Sequence, residues 1–331
     1  MKSRLLCVLA LLLSAGCGQN VGWVIKPAPT DESLRETIIS TDPGLFVNDK
    51  IALIDIDGIL VNQRGGMFSF RDNQVSLFVE KLDKAQADPN VKAVVVRINS
   101  PGGAVAASDT MYEKLIRFRS QKACPVIAVI EDVGASGGYY VACGADEILA
   151  HPASVTGSIG TIVQTVSLAG TMKMLRIDAR AVTSGPRKDM ASPFKPLDAK
   201  DLAILQEMVN EYYARFCDVV DKARPSLNAE QVKTLADGRV YTGQQALANG
   251  LVDRLGYVDD AVLLAKEKSR CARVKVVIYH RPLGYRANVY SSAQVATGRP
   301  QINLLNISAD EFLSSAAPQF LYLWTGHTYG R

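Results

Sequence analysis

The sequence predicts an α/β fold built on parallel strands. Three observations carry that expectation: short and nearly continuous apolar runs, segments of helical period between them, and glycine-rich turns where a run gives way to a helix. A strand buried on both faces has no polar side to show, so it reads as an unbroken apolar run. Residues 50–57 (KIALIDID) are the first run, and 73–87 follow with Val75, Phe78, Val79, Leu82 and Ala85 at helical spacing. Residues 91–98 form the second strand. A helix at 104–117, a strand at 126–130, a short helix at 137–143 and a strand at 147–150 continue the alternation. A long amphipathic helix at 201–222 aligns Leu205, Met208, Tyr212, Phe216 and Val219, and 228–236 and 243–249 add two shorter helices. Beyond about Arg281 the pattern weakens.

The 331 residues are 48% hydrophobic and 21% charged, which suits one large domain or two smaller ones. Neither an internal repeat nor a low-complexity block divides them. The formal charge of +4 falls to +2 without Lys2 and Arg4, which excludes the strong basic footprint of a nucleic-acid binder. The start reads as an export signal: Met1-Lys-Ser-Arg4 is basic, Leu5 to Leu13 is apolar, and Ser14-Ala-Gly-Cys17 ends in small residues and a cysteine. Its apolar part falls short of the roughly 20 residues that span a bilayer. Ser14 to Cys17 resembles a bacterial lipobox, which implies lipid on the Cys17 thiol and a tether to a membrane surface. Cys124, Cys143, Cys217 and Cys271 contain no C-x-x-C and no histidine cluster, so no metal site is expected.

The candidate chemistry lies at the glycine-rich turns. In Gly134-Ala-Ser-Gly-Gly138 the small neighbours of Ser136 let a substrate backbone approach its hydroxyl. A hydroxyl is a weak nucleophile until a base takes its proton. A lysine does so only when burial lowers its pKa from about 10.4 by several units. Lys188, in Ser184-Gly-Pro-Arg-Lys-Asp-Met-Ala-Ser-Pro193, is the candidate base, and a Ser-Lys pair is a known solution. Pairing with Asp189 would keep that lysine protonated. His151 is the rival base of a Ser-His-Asp arrangement, whereas Lys173 and Lys195 read as solvated surface lysines. Asn99-Ser-Pro-Gly-Gly103 turns from strand to helix and can present backbone N–H groups to an oxyanion. A plain tight turn and a phosphate cradle are the other readings, although neither phosphate-loop motif is present.

These residues resemble the signal peptide peptidase A family of serine peptidases, family S49, relatives of the Clp protease and crotonase fold. The resemblance runs from about Lys50 to Tyr257. It covers Arg97-Ile-Asn-Ser-Pro-Gly-Gly103, Gly134-Ala-Ser-Gly-Gly-Tyr-Tyr140, Thr156-Gly-Ser-Ile-Gly160, Ser184 to Pro193, Asp237-Gly-Arg-Val-Tyr-Thr-Gly243 and Gly250-Leu-Val-Asp253. It implies that Ser136 is the nucleophile and Lys188 the general base. It implies oxyanion donors at Gly102, Gly103 and Gly137, and a Ser158 hydroxyl that orients the lysine. It further implies hydrolysis of cleaved signal peptides and other short apolar peptides without metal or organic cofactor. Half-length members are expected to form homo-oligomeric rings, in which the lysine can come from an adjacent subunit.

The expected organisation is a lipoprotein signal at 1–16, a tether at 17–48, a catalytic domain at 49–280 with a helical C-terminal region, and an extension at 281–331. The catalytic domain would lie on the exported side of a cell-envelope membrane. A non-catalytic peptide-binding scaffold of the same fold, or a Clp-like Ser-His-Asp peptidase, are the alternatives. In the extension, Phe320-Leu-Tyr-Leu-Trp324 reads either as an edge element packed on the body or as a strand laid in the substrate groove as an internal inhibitor.

Overall fold

A computed structural model describes residues 33–62, 73–281 and 319–327. The export segment and Cys17 lie outside these residues. The first two strands are β1 (Arg35–Thr41) and β2 (Lys50–Asp57), followed by helix α1 (Gln74–Ala87), whose N-cap Asn73 accepts from Ser76 N–H. Strand β3 (Val91–Ser100) runs into the short β4 (Gly102–Ala104) and helix α2 (Val105–Lys122). Strand β5 (Val126–Ala135) leads into α3 (Gly137–Ala142), and β6 (Glu147–Ala150), β7 (Val155–Gly157), β8 (Ile162–Gln164) and α4 (Ala169–Met174) follow. The long helix α5 (Ala199–Ala223) is capped by Asp198. After it come α6 (Ala229–Leu235), β9 (Val240–Thr242), α7 (Gly243–Ala248), β10 (Arg254–Leu255), α8 (Val258–Ser269), β11 (Lys275–His280) and β12 (Gln319–Leu323).

The main sheet runs β1-β11-β2-β3-β5-β6-β10, with β7 and β9 continuing it beyond the upper half of β5. From β11 to β10 every pairing along that path is parallel. The expected α/β class is therefore what the chain adopts. Both faces are covered, which explains the unbroken apolar runs. Ile54, Val96 and Ala128 face Phe78, Leu115, Tyr139 and Phe216 of the helices on one side, while Leu53, Val95 and Ile127 face Ala261, Leu264 and Ala265 of α8 on the other. Each such large side chain taken fully out of water contributes about 1.5–3 kcal/mol.

Two segments differ from the sequence expectation. Residues 33–48, expected as part of the tether, supply β1, which pairs antiparallel with β11. A seven-residue amphipathic stretch fits an edge strand as well as a spacer, and its partner stands some 240 residues away in sequence, beyond local pattern. The extension likewise supplies β12. That strand lies between β4 and β8 in a second, antiparallel three-stranded sheet packed on the body.

Candidate active site

Ser136 joins β5 to α3 with φ 52° and ψ −116°. A non-glycine residue at positive φ is strained and persists only where its surroundings hold it. Here Ser136 N–H donates to Gly157 O at 2.7 Å, and Ser136 O accepts from Tyr140 N–H at 2.8 Å. The run 134–138 has G-x-S-x-G spacing, in which a sharp strand-to-helix turn presents the serine. Gly137 is required by close approach, since a Cβ there would meet Ser108 Oγ at 2.3 Å.

The turn before β4 meets Ser136 from the other side. Gly102 has φ +96°, and a Cβ on it would lie 2.5 Å from Gly137 N and 2.0 Å from Tyr322 O. Its own N–H is engaged with Ser100 Oγ at 3.1 Å, and that hydroxyl donates to Gly58 O at 2.6 Å. Gly102 therefore gives clearance rather than an oxyanion donor, which corrects its expected role. Gly102 O and Ala104 N–H are bonded to Leu60, so the polar groups of Gly103 between them face the opposite way, toward β12. Tyr322 is the register partner of Gly103, and Trp324 N–H donates to Pro101 O at 2.8 Å two residues along. Antiparallel alternation then makes Gly103 and Tyr322 a hydrogen-bonded pair, with Gly103 N–H on Tyr322 O. Gly103 and Gly137 thus stand on either side of one peptide carbonyl.

The Tyr322 side chain is fully buried. Its ring stacks on Tyr140 at 5.1 Å and tilts against Phe216 at 4.8 Å, while its hydroxyl donates to Tyr212 O at 2.6 Å. Burial holds the phenol well above its ordinary pKa, so it stays a neutral donor. Phe320, on the same face of β12, packs edge-on to Tyr212 at 5.2 Å. Sequence reasoning missed Ser100, Ser108, Tyr140, Tyr212 and Phe216. The aromatic pair directly after Gly134-Ala-Ser-Gly-Gly138 was the available signal.

The remaining predicted residues fall into two groups. Ser158 is buried with φ 50°, its N–H on Arg239 O at 2.8 Å, and it directly follows the Gly157 carbonyl that holds Ser136. Lys188 sits apart, exposed in the surface arm of residues 165–198, and no hydrogen bond joins it to Ser136 among the described residues. Asp189 does not pair with it. Asp189 binds Lys195 at 2.7 Å, and Arg187 binds Asp198 at 2.9 Å and the buried Asp201 at 2.6 Å. Among the described residues Lys188 is left as the cation of this turn without a carboxylate. His151 instead accepts from Ala153 N–H at 3.1 Å and packs edge-on to Tyr257, a turn-capping role. The Cys124 and Cys143 thiols are pushed up to about 11 and about 12 by burial, which makes them poor nucleophiles.

The chain is similar to several known peptidases. The model of peptidase family S49 matches residues 118–272. The chain is 34% identical over 233 residues to the "Putative signal peptide peptidase SppA" of Enterococcus faecium, covering 70% of this chain and 67% of that one. It is 37% identical over 186 residues to "Protease 4" of Salmonella typhi, covering 56% of this chain and 30% of that longer one. Among solved structures, a membrane-bound stomatin-specific protease superposes with a TM-score of 0.44 at 15% identity, covering 67% of this chain and 86% of the other. A match of one third identity that spans two thirds of both sequences, together with the family motif region, is decisive: the chain belongs to the signal peptide peptidase A family of peptidases, family S49.

Proposed function

We propose that the chain is a serine endopeptidase in which Ser136 is the nucleophile, Lys188 the general base, and the N–H groups of Gly103 and Gly137 the oxyanion donors. The observation that carries this reading is the peptide carbonyl of Tyr322 held between those two glycines next to Ser136. A substrate strand lying antiparallel to β4 would put its own carbonyl there. Ser136 Oγ then attacks the carbonyl carbon while Lys188 takes the hydroxyl proton. Two aimed donors stabilise the oxyanion by about 3–4 kcal/mol each. Collapse breaks the C–N bond, and the lysine returns the proton to the departing amine. Water hydrolyses the acyl ester by the same proton path.

A lysine accepts that proton only from a dry site, and in one copy of the chain Lys188 is exposed. The reading therefore includes a homo-oligomeric ring in which a neighbouring copy covers the arm and one copy's Lys188 serves the next copy's Ser136. In support, Met174, Leu175, Ile177, Val182 and Phe194 of that arm are all exposed apolar side chains. Asp189, Asp198 and Asp201 are already engaged by Arg187 and Lys195. Cleaved signal peptides and other short apolar peptides are the proposed substrates, in keeping with the name of the Enterococcus relative and the aromatic lining of the cleft. Lipid on Cys17 would anchor the chain on the exported side of a cell-envelope membrane; an acylated Cys17 at the mature N-terminus by mass spectrometry supports this, and an intact Met1 rejects it.

The test uses full-length chain in detergent with an apolar peptide ester and a signal-peptide fragment. Wild type should turn both over, whereas Ser136→Gly and Lys188→Ala should not. Glycine is chosen because it accepts the φ of 52° without strain while removing the hydroxyl. Mixing the two inactive variants should restore turnover if the lysine acts between copies. Equal turnover by all three proteins would sink the dyad, and peptide binding without turnover by any would favour the scaffold.

A further inference from the structure

At the end of the sheet away from Ser136, the chain makes a turn whose apolar tip stands in the open. Residues 42–49 (DPGLFVND) join β1 to β2, and Leu45 and Phe46 within them are 83% and 91% exposed. A single exposed apolar side chain is ordinary, but two large neighbours on a braced turn are not. The bracing comes from α8 and the start of β11. Asp42 N–H donates to Val274 O at 3.0 Å, and the Asp42 carboxylate accepts from Val274 N–H at 2.9 Å and from Lys266 Nζ at 2.7 Å. Arg273 lies so close to Gly44 that a Cβ there would meet its guanidinium at 1.9 Å. Behind the tip Val47 is buried, and Phe46 has φ 56°, a conformation that persists only where its surroundings fix it.

The charges beside the tip suit an anionic surface. Its own acids are taken up, Asp42 by Lys266 at 2.7 Å and Asp49 by Lys92 at 4.0 Å. Arg270 and Arg273 are exposed and have no carboxylate partner among the described residues; Glu267, one turn back on α8, is the nearest acid along the chain. We propose that this tip is a membrane foot: Leu45 and Phe46 enter the interface of an anionic bilayer, and Arg270 and Arg273 lie against its headgroup phosphates. This rests on the reading that the chain works at a membrane surface. A projecting pair of side chains is too small for a stable protein contact, which takes about 800 Å² from each partner, whereas a fluid apolar phase accepts such a tip without a complementary shape. Each arginine near anionic headgroups strengthens attachment about fivefold. β2 and β11 both begin beside the tip, whereas Ser136 follows the far end of β5, and the eight residues of β2 alone rise about 26 Å. The docked body therefore carries its cleft at the end of the sheet away from the bilayer, where peptides arrive through water.

The experiment places full-length Phe46→Trp on vesicles of phosphatidylcholine and phosphatidylglycerol, with brominated phosphatidylcholine as the quencher. Trp23 and Trp324 are present in every sample, so wild type is the baseline. The emission gained in Phe46→Trp should shift to the blue and be quenched. That gained in Leu202→Trp, at an exposed position of α5 across the sheet from α8, should do neither. Adding Arg270→Gln and Arg273→Gln should lower the docked-to-free ratio of the tip about fivefold for each arginine lost. Leu45→Ser with Phe46→Ser should still turn over the peptide ester in detergent at the wild-type rate, because the tip touches no part of the cleft. A chain that floats with the vesicles while Phe46→Trp is quenched no more than wild type overturns the inference and leaves the membrane tether standing; a chain that does not float removes both. Equal quenching on vesicles without phosphatidylglycerol overturns the role of the arginines. A blue shift that grows with protein concentration in the absence of lipid assigns the tip to a second copy and overturns the foot.

Discussion

Gly102→Ala is the sharpest probe of the cleft, because three distinct effects meet at one added carbon. The residue has φ +96°, which costs an alanine about 1–3 kcal/mol wherever its Cβ points. The Cβ would also stand 2.0 Å from Tyr322 O, whereas ordinary contact begins at 3.4 Å, so β12 must retreat by the difference of 1.4 Å. That retreat breaks the Trp324 bond to Pro101 and the Gly103 bond to Tyr322, worth about 1 kcal/mol each. The expected stability loss is thus about 3–5 kcal/mol with the tail present and about 1–3 kcal/mol in a chain ending at 318. Finally, the Cβ presses Gly137 N at 2.5 Å, and displacing one oxyanion donor costs on the order of a hundredfold to a thousandfold in kcat. Chemical denaturation of both lengths measures the first pair of numbers, and turnover of the peptide ester by the shorter chain measures the last. Turnover within threefold of wild type, or an equal stability loss with and without the tail, would refute the placement of the peptide carbonyl.

Three further outcomes follow from the same structure. Asp253→Ala should lower stability by about 3–5 kcal/mol in urea denaturation, since it strands the buried Arg224 guanidinium that Asp253 grips at 2.7 and 2.8 Å. The Arg224 partnership and the Ile148 N–H hold the Asp253 carboxyl below its ordinary pKa despite burial, so its contribution is present above pH 3.8 and lost as pH falls below that value. Glu131 behaves in the opposite sense: burial raises its pKa from 4.5 to about 6, so the fold loses stability as pH rises through that window. Glu131→Gln should remove that slope and gain about 1 kcal/mol at pH 7, a value discounted for the partly exposed side chain and its 3.6 Å contact with Arg97; an unchanged pH profile of the urea midpoint would contradict this. Asp201→Asn should lower kcat about tenfold or more with KM unchanged, because Asp201 touches no peptide yet anchors Arg187 beside Lys188 at 2.6 Å; an unaltered kcat would show that the anchor does not position the lysine.

Local pattern carried the core well where the physics is local. Strands 50–57 and 147–150 coincide with β2 and β6, and the helix expected at 73–87 is α1 with Asn73 as its cap. Pattern stopped short where a strand changes partners. β5 reaches Ala135 rather than Ile130 because, past the polar Glu131 and Asp132, Val133 to Ala135 pair with β7 instead of β6. β4, β7, β8 and β9 are three residues each, too short for a period to register. The Gly102 role was read amiss for a related reason: two adjacent glycines present N–H groups to opposite sides, and only the Ser100 hydroxyl decides which one is engaged inward.

The residues by themselves determined that this protein is an α/β member of a peptidase family with Ser136 on a glycine-rich turn, because runs, periods and motif order are properties of short stretches. Only the tertiary structure decided what surrounds that serine. The approach of Gly103 and Gly137 to one carbonyl, the pocket of Tyr140, Tyr212 and Phe216, and the insertion of β12 between β4 and β8 join segments from 60 to 324. Such contacts are set by sheet pairing and packing across the whole chain, and no local periodicity encodes them.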